Sequence, residues 1–112
     1  AGKAVRLTLT PDKTELTADQ QDVAQIEVTL LDKNGRPAAT DEIVTYQVLG
    51  DARLLGIENG RPDDLTCYAE PHRATWNGRA LVYLRAGRQA GFITLHAFTE
   101  SGLVEELVLQ SR

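Results

Sequence analysis

The chain has no methionine, a single cysteine, one tryptophan and two phenylalanines among its 112 residues. One cysteine, Cys67, excludes an internal disulfide and any metal site built from several thiolates. It leaves the redox compartment undecided, because a lone thiol fits a reduced cytosol as well as an oxidising space. Long hydrophobic runs are missing too. No apolar stretch approaches the roughly 20 residues of a helical membrane span, and no signal-peptide pattern opens the chain. Basic residues are scarce and dispersed: 12 Lys and Arg stand against 16 Asp and Glu, for a net charge of −4. That balance argues against nucleic acid, which calls for a basic stripe. No segment of about ten residues or more carries the i, i+3, i+4, i+7 stripe of an amphipathic helix. With no initiator methionine before Ala1, the sequence reads as a fragment of something longer.

What is present is alternation. Val5, Leu7 and Leu9 alternate with Arg6, Thr8 and Thr10 and predict a first strand with one buried face. Pro11-Asp12-Lys13 ends it, and the polar stretch from Thr14 to Asp22 reads as a connection anchored by Leu16. Ala24, Ile26, Val28 and Leu30 form the inward face of a second strand. Asp32-Lys33-Asn34-Gly35 then turns the chain, since Asn and Gly accept positive φ at little cost. A third strand, Ile43 to Leu49, turns Val44, Tyr46 and Val48 inward. A short one from Arg53 to Ile57 follows Gly50-Asp51. Further strands place Ala80, Val82 and Leu84, then Ile93, Leu95 and Ala97, toward the core. In the last, Leu103 to Leu109, Glu105-Glu106 interrupts the pattern; the favoured phase sends Leu107 and Leu109 inward. Seven short strands with turn signals predict an all-β, immunoglobulin-like antiparallel sandwich forming one domain over residues 1–112. No Cys…Trp…Cys framework accompanies it, so the domain is not antibody-like.

Between Asn59-Gly60 and Asn77-Gly78 lie 16 residues with no clean period. Connections of that length inside a compact domain are usually functional or disordered. Pro62, Tyr68, Pro71 and Trp76 predict an ordered one, with Trp76 as its anchor or, together with Tyr68, as a sugar-stacking platform. A nucleophilic triad would have to come from Cys67, Ser101 or Ser111 with His72 or His96. Cys67 and His72 share the loop, but no helix start or basic cluster is there to lower the thiol pKa. Asp63-Asp64, with Glu58 and Asn59, could gather oxygen ligands for Ca²⁺, though carboxylates pairing with Arg61 or Arg73 need no ion. Asp32-x-Asn34-Gly35 starts like a calcium loop and lacks the later ligands, so it reads as a turn. The residues assign no catalytic group, no cofactor and no metal.

The strand phases do single out one surface. In an immunoglobulin-type sandwich the third, sixth and seventh strands share a sheet. Their outward residues are Ile43, Thr45, Gln47 and Leu49, then Phe92, Thr94, His96 and Phe98, with Val108 from the last strand. The opposite sheet shows Arg6, Thr8, Gln25, Glu27, Thr29 and Arg85, with Leu81 and Tyr83 as its only large apolar residues. An apolar patch rimmed by polar residues marks a contact surface. Ile43, Leu49, Phe92, His96 and Phe98 are therefore the candidate interface, for another domain or a second copy.

Asp22-Val-Ala-Gln-Ile-Glu-Val-Thr-Leu-Leu-Asp-Lys-Asn-Gly-Arg-Pro37 and Val44-Thr-Tyr-Gln-Val48 resemble invasin-like bacterial immunoglobulin domains. Gly56-Ile-Glu-Asn-Gly-Arg-Pro62, Arg73-Ala-Thr-Trp-Asn-Gly-Arg-Ala-Leu-Val82 and Gly91-Phe-Ile-Thr-Leu-His-Ala97 are more specific. They resemble the C-terminal immunoglobulin-like domain of glycoside hydrolase family 2 enzymes, the β-galactosidase group, over about residues 5 to 110. That family usually has aspartate where Arg61 stands and phenylalanine where Trp76 stands. The resemblance implies a parent hydrolase whose catalytic acid and nucleophile belong to a separate barrel domain, so none is carried over to this chain. It implies a non-catalytic accessory module packing on other domains of the parent, with a periplasmic or extracellular parent expected ahead of a cytoplasmic one. The alternatives from the residues are an adhesin spacer and a small carbohydrate-binding module using Trp76 and Tyr68.

Overall fold

The computed structural model describes residues 3–38, 41–58, 72–75 and 78–112, and among these the chain forms strands and no helix. One sheet runs in the order β1 (Arg6–Pro11), β3 (Val23–Leu31), β7 (Arg79–Ala86), β5 (Ala52–Glu58). The other runs β2 (Glu15–Leu16), β9 (Val104–Ser111), β8 (Gly91–Thr99), β4 (Ile43–Leu49), β6 (His72–Ala74). All neighbours are antiparallel except β2 and β9, which lie parallel. The architecture is an immunoglobulin-like sandwich.

The two-residue period of the sequence explains why two sheets form and why they meet. On β3 each of Ala24, Ile26, Val28 and Leu30 is buried while Gln25 and Glu27 stay in water. Val44 and Tyr46 of β4, Val82 and Leu84 of β7, and Ile93 and Leu95 of β8 complete the interior. A strand with one apolar face can bury it only against another such face, and aligned sheet packing does this for all the strands at once.

Some expectations need correction. Nine strands form among the described residues, not seven. The additional ones are β2, inside the stretch read as a connection, and β6, which pairs with β4 from Ile43↔Ala74 to Thr45↔His72. Leu16 is buried as expected of an anchor, and β2 is held by its register with Gln110 and Ser111. Val5, expected inward, is 53% exposed, because Ala4 fills the core position and β1 begins only at Arg6. Leu9 and Val48 are partly buried at the margin of the core. Leu107 and Leu109 do point inward, Leu109 fully buried and Leu107 packed against the core.

The segment before β3 is tied down by one carboxylate. Asp22 accepts a hydrogen bond from the Thr17 amide at 2.8 Å and pairs with Lys13. The Lys13 hydrogen bond, then that of Thr17, hold the Asp22 carboxyl below its ordinary 3.8. A folded-state pKa that is depressed contributes stability above the unfolded value and loses it as pH falls through the folded one. Asp22→Asn should therefore be less stable than the wild type at neutral pH. The two melting curves should converge as pH drops below about 3.8. A difference that persists unchanged into strong acid would show that Asp22 acts through something other than its charge.

Candidate interaction face

The outer face of β4, β8 and β9 is built by register. Phe98 sits between Thr45 of β4 and Val104 of β9. His96 sits between Gln47 and Glu106, and Thr94 between Leu49 and Val108. Phe92 lies opposite Gln110, which in turn neighbours Glu15 of β2. Side chains directly opposite on antiparallel strands stand about 5 Å apart, so these rows make one continuous surface.

Large apolar side chains are concentrated on this surface and open to solvent. Eight large hydrophobic side chains are exposed among the described residues, and Ile43, Leu49, Phe92, Phe98, Val104 and Val108 are six of them. Phe92 at 70% and Val104 at 66% are the most open. The two outside this group are Val5 and Leu55. Leu55 corrects the expectation that Leu81 and Tyr83 are the only large apolar residues of the other sheet. It lies where the β5–β7 register shifts between Leu54 and Gly56, and a bulge re-aims a side chain without any warning in the alternation.

At the middle of the face His96 Nε2 lies 3.0 Å from Glu106 Oε2. At its β2 margin Arg112 Nη2 lies 3.2 Å from Glu15 Oε1. The charged groups thus sit in one central row and at a rim, with Phe98, Val104, Leu49, Val108 and the hydroxyls of Thr45 and Thr94 in the rows beside them.

The structure brings Ile43, Leu49, Phe92, His96 and Phe98 together on this one face. Val104 joins them and was missed, because Glu105-Glu106 hid the phase of β9; the signal available was Val108, four residues on and therefore on the same side. Trp76 and Tyr68 lie outside the described residues, as do Cys67, Asp63, Asp64 and the loop they share.

Elsewhere the described aspartates hold turns or tie distant segments together. Each described aspartate accepts a backbone N–H: Asp12 from Gln25, Asp19 from Gln21 and Asp22, and Asp22 from Thr17. Asp32 accepts from Asn34 and Arg36, Asp41 from Gly78, and Asp51 from Gln89. Asp32 is thereby a turn residue, as its sequence context suggested. No cluster of three or more metal-ligating side chains occurs among the described residues. A polar recess of about 300 Å³ at one end of the sandwich is lined by Gln20, Asp51, Ala52, Arg53, Arg85, Ala86 and Gly87, which include one carboxylate and no histidine, serine or cysteine. The Tyr46 hydroxyl is buried with no hydrogen-bond partner among the described residues. Its burial pushes the phenol pKa well above 10, so it stays neutral and serves as core volume.

Comparison with known families places this sandwich. Residues 7–107 match the model of the glycoside hydrolase family 2 C-terminal domain 5. The chain belongs to that family. As a family 2 C-terminal domain it is similar to the β-galactosidase BoGH2A of Bacteroides ovatus, with 33% identity over 102 residues. That match takes in 89% of this chain and 12% of the relative, so the chain spans about an eighth of that relative's length. A glycosyl hydrolase family 2 member from Bacteroides cellulosilyticus superposes with a TM-score of 0.95 at 29% identity, over all of this chain and 15% of that one. The D00-D0 domain of intimin superposes at 0.68 with 21% identity over 94% of this chain and 46% of that one, a likeness of fold alone.

Proposed function

We propose that this C-terminal domain is a non-catalytic accessory module of a β-galactosidase-type glycoside hydrolase, and that its role is to support the packing of the larger protein. One observation carries the reading: the described aspartates, and Glu15 and Glu106 with them, are engaged in holding the fold. Glycoside cleavage uses two carboxyl groups facing a substrate about 5–10 Å apart. Here every described aspartate accepts a backbone amide, within a turn at Asp19 and Asp32 and across to a distant segment at Asp12, Asp41 and Asp51, and Glu15 and Glu106 are paired with Arg112 and His96. The recess described above holds a single carboxylate, Asp51, where an acid and a nucleophile would both be needed. Similarity to enzymes named as β-galactosidases supports the class of the parent.

The test is direct. The purified domain should show no turnover of an aryl β-galactoside above the buffer rate at any enzyme concentration that remains soluble. Turnover that a single Asp or Glu substitution in this domain abolishes would refute the accessory reading.

A further inference from the structure

We infer that the outer face of β4, β8 and β9 docks against another domain of the same polypeptide, which covers Phe92, Phe98, Val104 and Val108 with apolar side chains and places a hydrogen-bond donor over Glu106. This rests on the reading of the chain as an accessory module and names the surface through which it acts.

Three observations select this face and this occupant. The first is concentration: six of the eight exposed large hydrophobic side chains among the described residues lie on this face. The outer face of the other sheet instead carries exposed Arg6, Gln25, Glu27 and Arg53. Folding gains nothing from exposed phenylalanine and valine, so a patch of this kind marks a contact.

The second is size. Three strands about 4.8 Å apart and seven residues rising about 3.3 Å each give a footprint of about 14 by 23 Å. That footprint, on the order of 300 Å², is well under the ~800 Å² per partner typical of a stable association between separate molecules. Contacts between domains of one chain begin near 600 Å² in total, about half of it from each side. Tethering supplies an effective concentration on the order of millimolar, so a small face suffices. Area thus favours a covalently attached partner over a second copy. The chain covers only 12–15% of the relatives it matches, and those relatives carry ample further chain to supply one.

The third is polarity. Glu106 uses Oε2 toward His96 Nε2, which leaves Oε1 to accept from the facing surface. Covering the row removes water from this pair, and a desolvated carboxylate needs that additional donor. The occupant is therefore apolar with an Arg, Lys or amide donor near its centre.

The experiment uses the full-length parent hydrolase with Val104→Cys, labelled by a soluble maleimide, the parent without the substitution giving the background from Cys67 and any other native thiol. Labelling in the native protein should be at least tenfold slower than in the same variant unfolded in urea. A smaller ratio means the face is bare and overturns the inference. Protection should be unchanged over a hundredfold dilution; protection lost on dilution, with a matching fall in mass, would assign the face to a second copy and overturn the choice of occupant. Adding Phe98→Ser to that variant should speed labelling of the introduced thiol by tenfold or more while circular dichroism stays native; undiminished protection also counts against it. Glycosidase activity in the isolated domain would sink the accessory reading and leave the labelling result standing.

Discussion

Truncating Ile26 to alanine should lower the stability of the domain by about 3–5 kcal/mol, the largest loss expected from any single core truncation. Ile26 is fully buried at the middle of β3, with β1 on one side through Pro11 and β7 on the other through Val82. Backbone hydrogen bonds to two neighbours prevent β3 from shifting to fill the space left behind. The cost is then the lost transfer of three carbons plus an unrelaxed cavity. A domain of this size has about 5–15 kcal/mol in all, so about a fifth or more of its stability would go. Urea unfolding measures it through a lower midpoint at unchanged slope. Val104→Ala on the exposed face provides the contrast, with a change within about 0.5 kcal/mol in the isolated domain. If Ile26→Ala costs less than about 1 kcal/mol, the interior is far looser than the burial pattern states.

Gly50→Ala should be nearly as damaging, at about 3–4 kcal/mol, for a different reason. At Gly50 the chain leaves β4 of the five-stranded sheet and crosses to β5 of the four-stranded one. Its φ is +102°, and a Cβ built there lies 2.4 Å from the carbonyl oxygen of Phe92 and 3.3 Å from the Cα of Ile93. Both are backbone atoms at the start of β8, and the strand ladder fixes them. The crossing therefore has to move, or β8 does. Gly102 separates the two contributions, because its φ of +98° is nearly the same and a Cβ there meets nothing within 4 Å. Gly102→Ala should cost only the backbone strain, about 1 kcal/mol. Equal losses at the two sites would show that close approach to β8 plays no part.

What the sequence determined is what a period of two can carry. Runs of seven to nine residues such as Val23–Leu31 and Gly91–Thr99 declare their inward and outward sides by alternation, so the central core residues could be named from the chain alone. The same alternation named Ile43, Leu49, Phe92, His96 and Phe98 as neighbours on the outside, since residues not used by the core must face away from it. The family was legible too, in segments matched to a known pattern. Three kinds of feature were decided only by the folded chain. Strands of two and three residues, β2 and β6, are too short to show a period, and they exist because β9 and β4 offer them an edge. Val104 entered the exposed face, and Leu55 became exposed on the other sheet, through a strand phase and a register shift set by β8 and β7. The roles of the aspartates depend on amides far along the chain, as when Asp41 receives the Gly78 N–H from 37 residues away. Alternation is a property of consecutive residues, whereas an edge, a bulge and a long-range hydrogen bond each require a partner that only the folded chain brings near.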